Sequence, residues 1–468
     1  MGIEITSGGV SKTYRYYPYD AFYVDANGSV NTSGQGRQVR EAWFDGVKYY
    51  PETGDSGFIR LAASARYAVG SDQVPYIDPT EIYYPTVIEA VSSYTLPVGD
   101  RTSTKCHGDN NRSVAVELLL PICAKIGGSA FYRCTTLQKL TADICADMGA
   151  NAFRECTALR EIHLPALTDL SHNANSLQAN QQFYGCTQLV TVDIPLCESV
   201  GVASFYECTS LTEVDFPHCV ELNQASHAYC SALTTVNLPS CKRIGQSCFW
   251  RCASLVDVSL PSCETVGDED DFASTGHVGA FEECTALQEI DLPVCTKVVG
   301  SSFHRCSSLT DISIPLCVTV GSNAFDYTAL VDVSLPECLS VGAAAFYHCE
   351  SLESVSLPKC TQMGGDGWHG VFEACTSLAD VNMPELTEVA NDAFKGCPAL
   401  TSISLPKCQA VGSYAFVARN LTRAYLPECT EIKDYAFYFC TNGLRITVKT
   451  GCTFGTNALP STVSIEYV

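Results

Sequence analysis

From about residue 115 onward, apolar positions return with a long, fixed period that is neither helical nor that of one continuous strand. Each period opens with a short alternation of apolar and polar residues, as in LTEVDF at Leu211 to Phe216, the pattern of a half-buried strand. A proline then removes a ladder donor and ends the strand. A Val-Gly pair follows, with the glycine where the chain is expected to turn. The period closes on Ala-Phe and a short turn that returns the Phe and a later cysteine to the interior. Prolines at 121, 165, 195, 217, 239, 261, 293, 315, 336, 358, 384, 406 and 427 mark the copies, most often 22 residues apart. The unit reads L-x-x-V-x-L-P-x-C-x-x-V-G-x-x-A-F-x-x-C-x-x. Fourteen copies start between about Ala115 and Leu421, one of them degenerate around LTADICADMGANAF.

One such unit cannot bury enough apolar surface to offset the entropy of ordering it, so neighbours must stack and share their ladders. The expected fold class is therefore a β-rich solenoid of about 14 coils of ~22 residues, on the order of 65–70 Å long at a ~4.8 Å strand spacing.

The segments LTEVDFPHC (Leu211–Cys219) and LESVSLPKC (Leu352–Cys360) resemble the leucine-rich-repeat signature L-x-x-L-x-L-x-x-C. The extension V-G-x-x-A-F-x-x-C-x-x-L is similar to the BspA-type leucine-rich repeats of bacterial surface and gut-associated proteins. The resemblance covers roughly residues 114 to 445 and implies adhesion or protein binding without catalysis.

Three segments follow. Residues 1–105 carry no repeat, hold 12 of the 23 tyrosines and many Gly and Pro turns, and read as a small β-rich attachment module. Residues 106–445 form the solenoid. Residues 446–468 depart from the unit and should close the last coil, as repeat arrays require.

The chain has 27 cysteines, which in a secreted protein would suggest a disulfide framework. Twelve occupy the position two after the proline, counting Cys145 in the degenerate copy, and twelve the position three after the Phe, counting Cys230 after His227; only Cys106, Cys248 and Cys452 fall outside these columns. Leu167 and Leu386 take the same position in two copies, so the column behaves as a small buried hydrophobe. Stacking would set equivalent Cα atoms within bridging range but with parallel Cβ vectors, which disfavours disulfides. No C-x-x-C occurs, and soft-metal ligation needs ligands that converge. Buried, reduced thiol ladders are the expectation, with no metal and no cofactor.

The formal charge of −23 disfavours nucleic acid and anionic membranes as partners and permits a basic partner. No apolar run is long enough to span a bilayer, so no membrane insertion is expected, and the N-terminus has no apolar core of a secretory signal. Family resemblance points to an extracellular or cell-surface location. The many thiols without a signal fit a virion component, such as a phage-tail receptor-binding protein, assembled before it meets a host.

Departures from the period are where function should show. Three copies carry insertions between the Val-Gly pair and the Phe: LTDLSHNANSLQANQQF, VGDEDDFASTGHVGAF and MGGDGWHGVF. They are the third, seventh and eleventh copies, so the loops should emerge along one edge about 19 Å apart. Each holds one histidine, His172, His277 or His369, too far apart to share a metal. Asp270 and Asp271 lie in an acidic turn that lacks the spaced oxygens of a dedicated calcium loop. Trp368, between glycines in sequence, is a candidate partner anchor.

Two stripes complete the candidates. The residue before the inward Val is acidic in eight copies, among them Glu213, Asp257, Glu289, Asp311 and Asp332, with Asp215 or Asp291 two positions on. Strand alternation points all of them outward. The residue after the repeat Phe is aromatic in six copies, including Tyr132, Tyr184, Tyr206, Trp250 and Tyr347; it either faces a partner or packs on the next coil. A polysaccharide-cleaving β-helix also carries acidic rows, but glycosidase carboxylates face each other across a cleft, and a uniform row does not. No nucleophile elbow, phosphate loop or zinc motif appears. The expected function is a non-catalytic scaffold that binds a protein or glycan on a cell surface, its N-terminal module attaching to a larger assembly.

Overall fold

The computed structural model describes residues 124–135, 137–171, 180–267, 279–364 and 369–468, and, as backbone alone, nine short strands before residue 120. Two compact units divide the chain, Met1–Thr212 and Glu213–Val468. Near the N-terminus, Gly2–Ser7, Val10–Arg15, Glu41–Phe44 and Val47–Tyr49 form one antiparallel sheet. Phe22–Val24 pairs antiparallel with Val30–Asn31 and Arg37–Val39.

The repeats form a β-solenoid of about 14 turns of ~22 residues without a helix among the described residues. Each coil has three sides. The first is a three-residue strand that pairs parallel and in register with its neighbours: Glu161–His163 with Thr191–Asp193 in the first unit, Glu289–Asp291 with Asp311–Ser313 in the second. Period-two alternation sends the central residue inward, so Val214, Val236, Val333 and Val355 are at most 1% exposed. The second side is a two-residue strand after the first cysteine, as in Thr319–Val320 and Ser340–Val341.

The third side was expected to be only a turn, and it is also a ladder. In the second unit the amides of Ser301, Phe303 and Arg305 donate to the carbonyls of Ser322, Ala324 and Asp326 on the next coil, at 2.8, 2.8 and 3.0 Å. In these coils two non-glycine residues take left-handed backbone angles to allow this, Ser301 and Arg305 at φ 58°, Asn323 and Tyr327 at 57° and 56°. Each such residue costs roughly 1–2 kcal/mol. The cross-coil hydrogen bonds on either side of the Phe offset that cost.

The repeat glycine has a different reason from the expected one. A Cβ on Gly321 would lie 2.3 Å from the Gly300 amide nitrogen, and one on Gly342 would lie 2.4 Å from that of Ser322. Neither glycine has a positive φ. Close approach of successive coils, and not conformational freedom, demands the missing side chain.

Phenylalanines stack down the interior, centroids 5.0–5.6 Å apart from Phe131 through Phe153 and Phe183 to Phe205. In the second unit Phe281, Phe303 and Phe325 repeat this at 5.2 Å. One coil substitutes histidine: His227 is fully buried, its ring 5.5 Å from Phe249 and its Nδ1 3.0 Å from the Ser226 hydroxyl. Burial alone lowers its pKa to about 3.

None of the 25 described cysteines is in a disulfide, and all are buried. The thiols are more than filler. Each first-column thiol bonds the carbonyl two residues on, as Cys317 to Thr319 at 3.3 Å, and each second-column thiol bonds the preceding coil's Phe-column carbonyl, as Cys306 to Phe281 at 3.1 Å. Burial pushes the Cys349 thiol up to about 12, so it stays protonated and unreactive. The tail continues the array, with Arg445–Val448 and Ser464–Tyr467 extending the first side and Thr453–Phe454 the second.

Candidate binding surface

In the strands from Glu213–Asp215 to Asp380–Asn382, the outward positions carry Glu213, Asp215, Asp257, Glu289, Asp291, Asp311, Asp332 and Asp380, and no Lys, Arg or His. All eight are exposed. Among the described residues no cation comes within ion-pair distance of any of them. Asp215 accepts a hydrogen bond from Asn237 at 2.9 Å and Asp332 accepts one from Ser354. Register places Glu289 directly beside Asp311. Carboxylates away from this face behave otherwise: Glu337 pairs with Lys359 and Glu385 with Lys407, both at 2.6 Å. The expected acidic stripe is therefore present, outward and uncompensated.

The aromatic stripe packs along the array and stays partly exposed. Tyr132, Tyr184, Tyr206, Trp250 and Tyr347 are all half-buried. Tyr184 stacks on Tyr206 at 4.9 Å, and Trp250 meets Tyr229 edge-on at 4.6 Å with the Arg251 guanidinium 5.0 Å from its ring. These rings pack on the next coil while keeping one edge in water. The neighbouring column, two after the Phe, supplies partners that were not singled out from sequence: Tyr229, Tyr327 and His348. Reading that column for aromatics would have found them.

Of the loop candidates, His172, His277, Trp368, Asp270 and Asp271 lie outside the described residues. His369 is described. Its ring lies 4.3 Å from that of Tyr347, and its Nδ1 is 3.4 Å from Glu373. Glu373 also accepts from the Gly370 amide at 3.0 Å, and Glu282 does the same for Gly279 at 2.8 Å. Two insertions thus return to the solenoid through one Gly-x-Phe-Glu clasp. Burial raises the Glu282 pKa. On the next coils His304 bonds the nearly buried Asp326 at 2.6 Å. Among the described residues no three His, Cys, Asp or Glu side chains are placed to hold a metal ion, and no helix is long and apolar enough to cross a membrane.

The profile described as "BspA type Leucine rich repeat region (6 copies)" matches residues 118–178, 170–278, 275–367 and 368–468. The chain belongs to the BspA-type leucine-rich repeat family. The family is generally non-catalytic. A leucine-rich repeat protein from Bacteroides ovatus shares the fold, with a TM-score of 0.50 at 20% identity over 75% of this chain and 92% of that one. A leucine-rich cell surface protein from Faecalibacterium prausnitzii aligns at 21% identity over 76% of this chain and 88% of that one, with a TM-score of 0.39. No curated protein matches the chain in sequence.

Proposed function

We propose that this BspA-type chain is a non-catalytic binding and adhesion scaffold whose strand face, over residues 213–382, meets a protein or glycan partner on a cell surface. The supporting observation is the run of eight exposed carboxylates with no cation on that face. Glu289 beside Asp311 costs roughly 0.5–1 kcal/mol of repulsion in a water-exposed sheet. A partner bearing lysine or arginine converts that cost into attraction and speeds encounter. The inserted loops and the half-exposed aromatic residues are offered as further contacts. Residues 1–105 serve as attachment to a larger assembly. A second reading, a virion-associated receptor-binding protein, is favoured by one observation: the described cysteines are all reduced, as suits assembly in a reducing compartment.

The test is calorimetric titration of the full chain with octalysine at low salt. Binding should weaken at least tenfold in the triple variant Asp257→Lys, Glu289→Lys, Asp311→Lys, and weaken with added salt. Unchanged affinity in that variant would remove the strand face from the function, and release of products from a glycan panel would end the non-catalytic reading.

A further inference from the structure

We infer that the gap in the strand face between Asp380–Asn382 and Ser402–Ser404 is a subsite for one or two rings of a neutral saccharide. The inference rests on the binding-scaffold reading and deepens it, since it names a ligand class for one place on that face.

The row of three-residue strands is interrupted here, as it also is between Asp311–Ser313 and Asp332–Ser334. Ser354–Ser356 pairs with Asp380–Asn382, and Ser402–Ser404 pairs with Arg423–Leu426, but the two groups are not joined. Val381 is only half-buried, whereas its counterparts Val355 and Ile403 are 1% and 4% exposed. The opening is a cleft of about 520 Å³. That lies within the ~300–1,000 Å³ of small-ligand sites. Val381 sits among its lining residues together with Pro384 and Pro406, which makes part of the wall apolar.

The rest of the lining is polar and short of partners. The Asp380 carboxylate has no hydrogen bond or ion pair to any described residue, and Ser404 makes no side-chain hydrogen bond. Asn382 donates through Nδ2 to the Ser356 hydroxyl at 3.0 Å, which leaves its carbonyl oxygen available as an acceptor. A carboxylate can accept both hydroxyls of a vicinal diol, and the adjacent amide and hydroxyls suit a third and fourth. In register with Ser404 stands Tyr425, 40% exposed on the same face, a flat ring against which the C–H face of a sugar can stack.

Charge argues for a neutral ligand at this place, in contrast to the face before it. Asp380 is the one charged residue in the cleft's lining. Arg423 stands in register with Ser402, so a basic residue enters the outward row just beyond the cleft. A cationic side chain gains little there. The single carboxylate also lacks the opposed partner that glycoside hydrolysis needs, so the sugar is held and not cut.

Saturation-transfer NMR of the full chain with methyl glycosides and disaccharides of glucose, galactose, mannose and N-acetylglucosamine tests this, followed by calorimetry on any ligand found. At least one saccharide should bind, with Asp380→Asn and Tyr425→Ala each weakening it about tenfold. Glu337→Gln, away from this face, should leave it unchanged. Ser404→Trp should fill the cleft and abolish binding while thermal melting stays as in the parent chain. No saccharide bound at 10 mM, or a bound saccharide indifferent to Asp380→Asn, Tyr425→Ala and Ser404→Trp, overturns the inference. Octalysine titration is read separately, so the scaffold reading can stand when the cleft fails, and the cleft can stand when octalysine does not bind.

Discussion

The strand faces of the two units use the same backbone positions and settle their charges differently. In the first unit Lys139 bridges to Glu161 at 2.8 Å, while His163 lies between Asp193 and Asp143. In the second, eight carboxylates stand along the outward rows from Glu213 to Asp380 with no basic residue among them. Both units hold the same kind of interior, with stacked Phe rings and hydrogen-bonded thiols. The coil therefore does not require an acidic face. The unpaired charges of the second unit are a surface property laid over a common core, and their repulsion is retained at a cost in stability.

If the cores are equivalent, emptying one stack position should cost the same in each unit. Phe153→Ala and Phe303→Ala, both at fully buried rings, should each destabilise by about 3–5 kcal/mol. Hydrogen exchange of the flanking coils gives the local figure. A gap larger than the spread between them would mean that the cores differ and that the charge comparison is confounded.

Acid should separate the units next. The Phe column of the first unit runs unbroken, whereas the second buries His227, whose pKa falls from 6.5 to about 3. Between those values the unfolded chain binds a proton that the folded chain refuses, so stability falls as pH drops below 6.5 and the loss is complete near 3. At ~1.4 kcal/mol per unit this amounts to a few kcal/mol. His227→Phe should flatten that part of the pH profile, measured by urea melts from pH 7.5 to 4. An unchanged slope would show that His227 opens to water before the coil unfolds.

The smallest effect bears most directly on the faces. Glu289→Gln should stabilise the second unit by roughly 0.5–1 kcal/mol in low salt by removing its repulsion with Asp311, and the gain should vanish in 1 M salt, where the screening length is about 3 Å. Glu161→Gln should instead cost up to about 1 kcal/mol, through loss of the Lys139 bridge. Equal signs for the two variants would erase the contrast.

Much of the coil was legible because its period is strict: the inward Val, the Phe column, the two cysteine columns and the outward acids all follow from spacing. What sequence could not show are relations between coils. The Val-Gly glycine looked like a turn residue, since a clash with the backbone of the neighbouring coil leaves no mark in its own segment. The left-handed pairs around the Phe are filled by Ser, Asn, Arg and Tyr, which carry no common signal for a third ladder. LADVNMP around Asp380 reads like any other copy, and nothing in it marks the cleft or the unpaired strand that follows. The aromatic column could be placed at the surface, but whether its rings faced water or a neighbour depended on the column beside it.

The hydrogen-bonded sulfurs have one more consequence. No covalent tie holds the described coils shut, so persistence in an oxidising medium depends on how rarely a coil breathes. A coil that opens presents its thiols to any reagent present, and a coil that stays closed presents none. Pulse alkylation followed by peptide mass spectrometry would then read opening frequencies coil by coil, with the protein's own sulfur atoms as the clock.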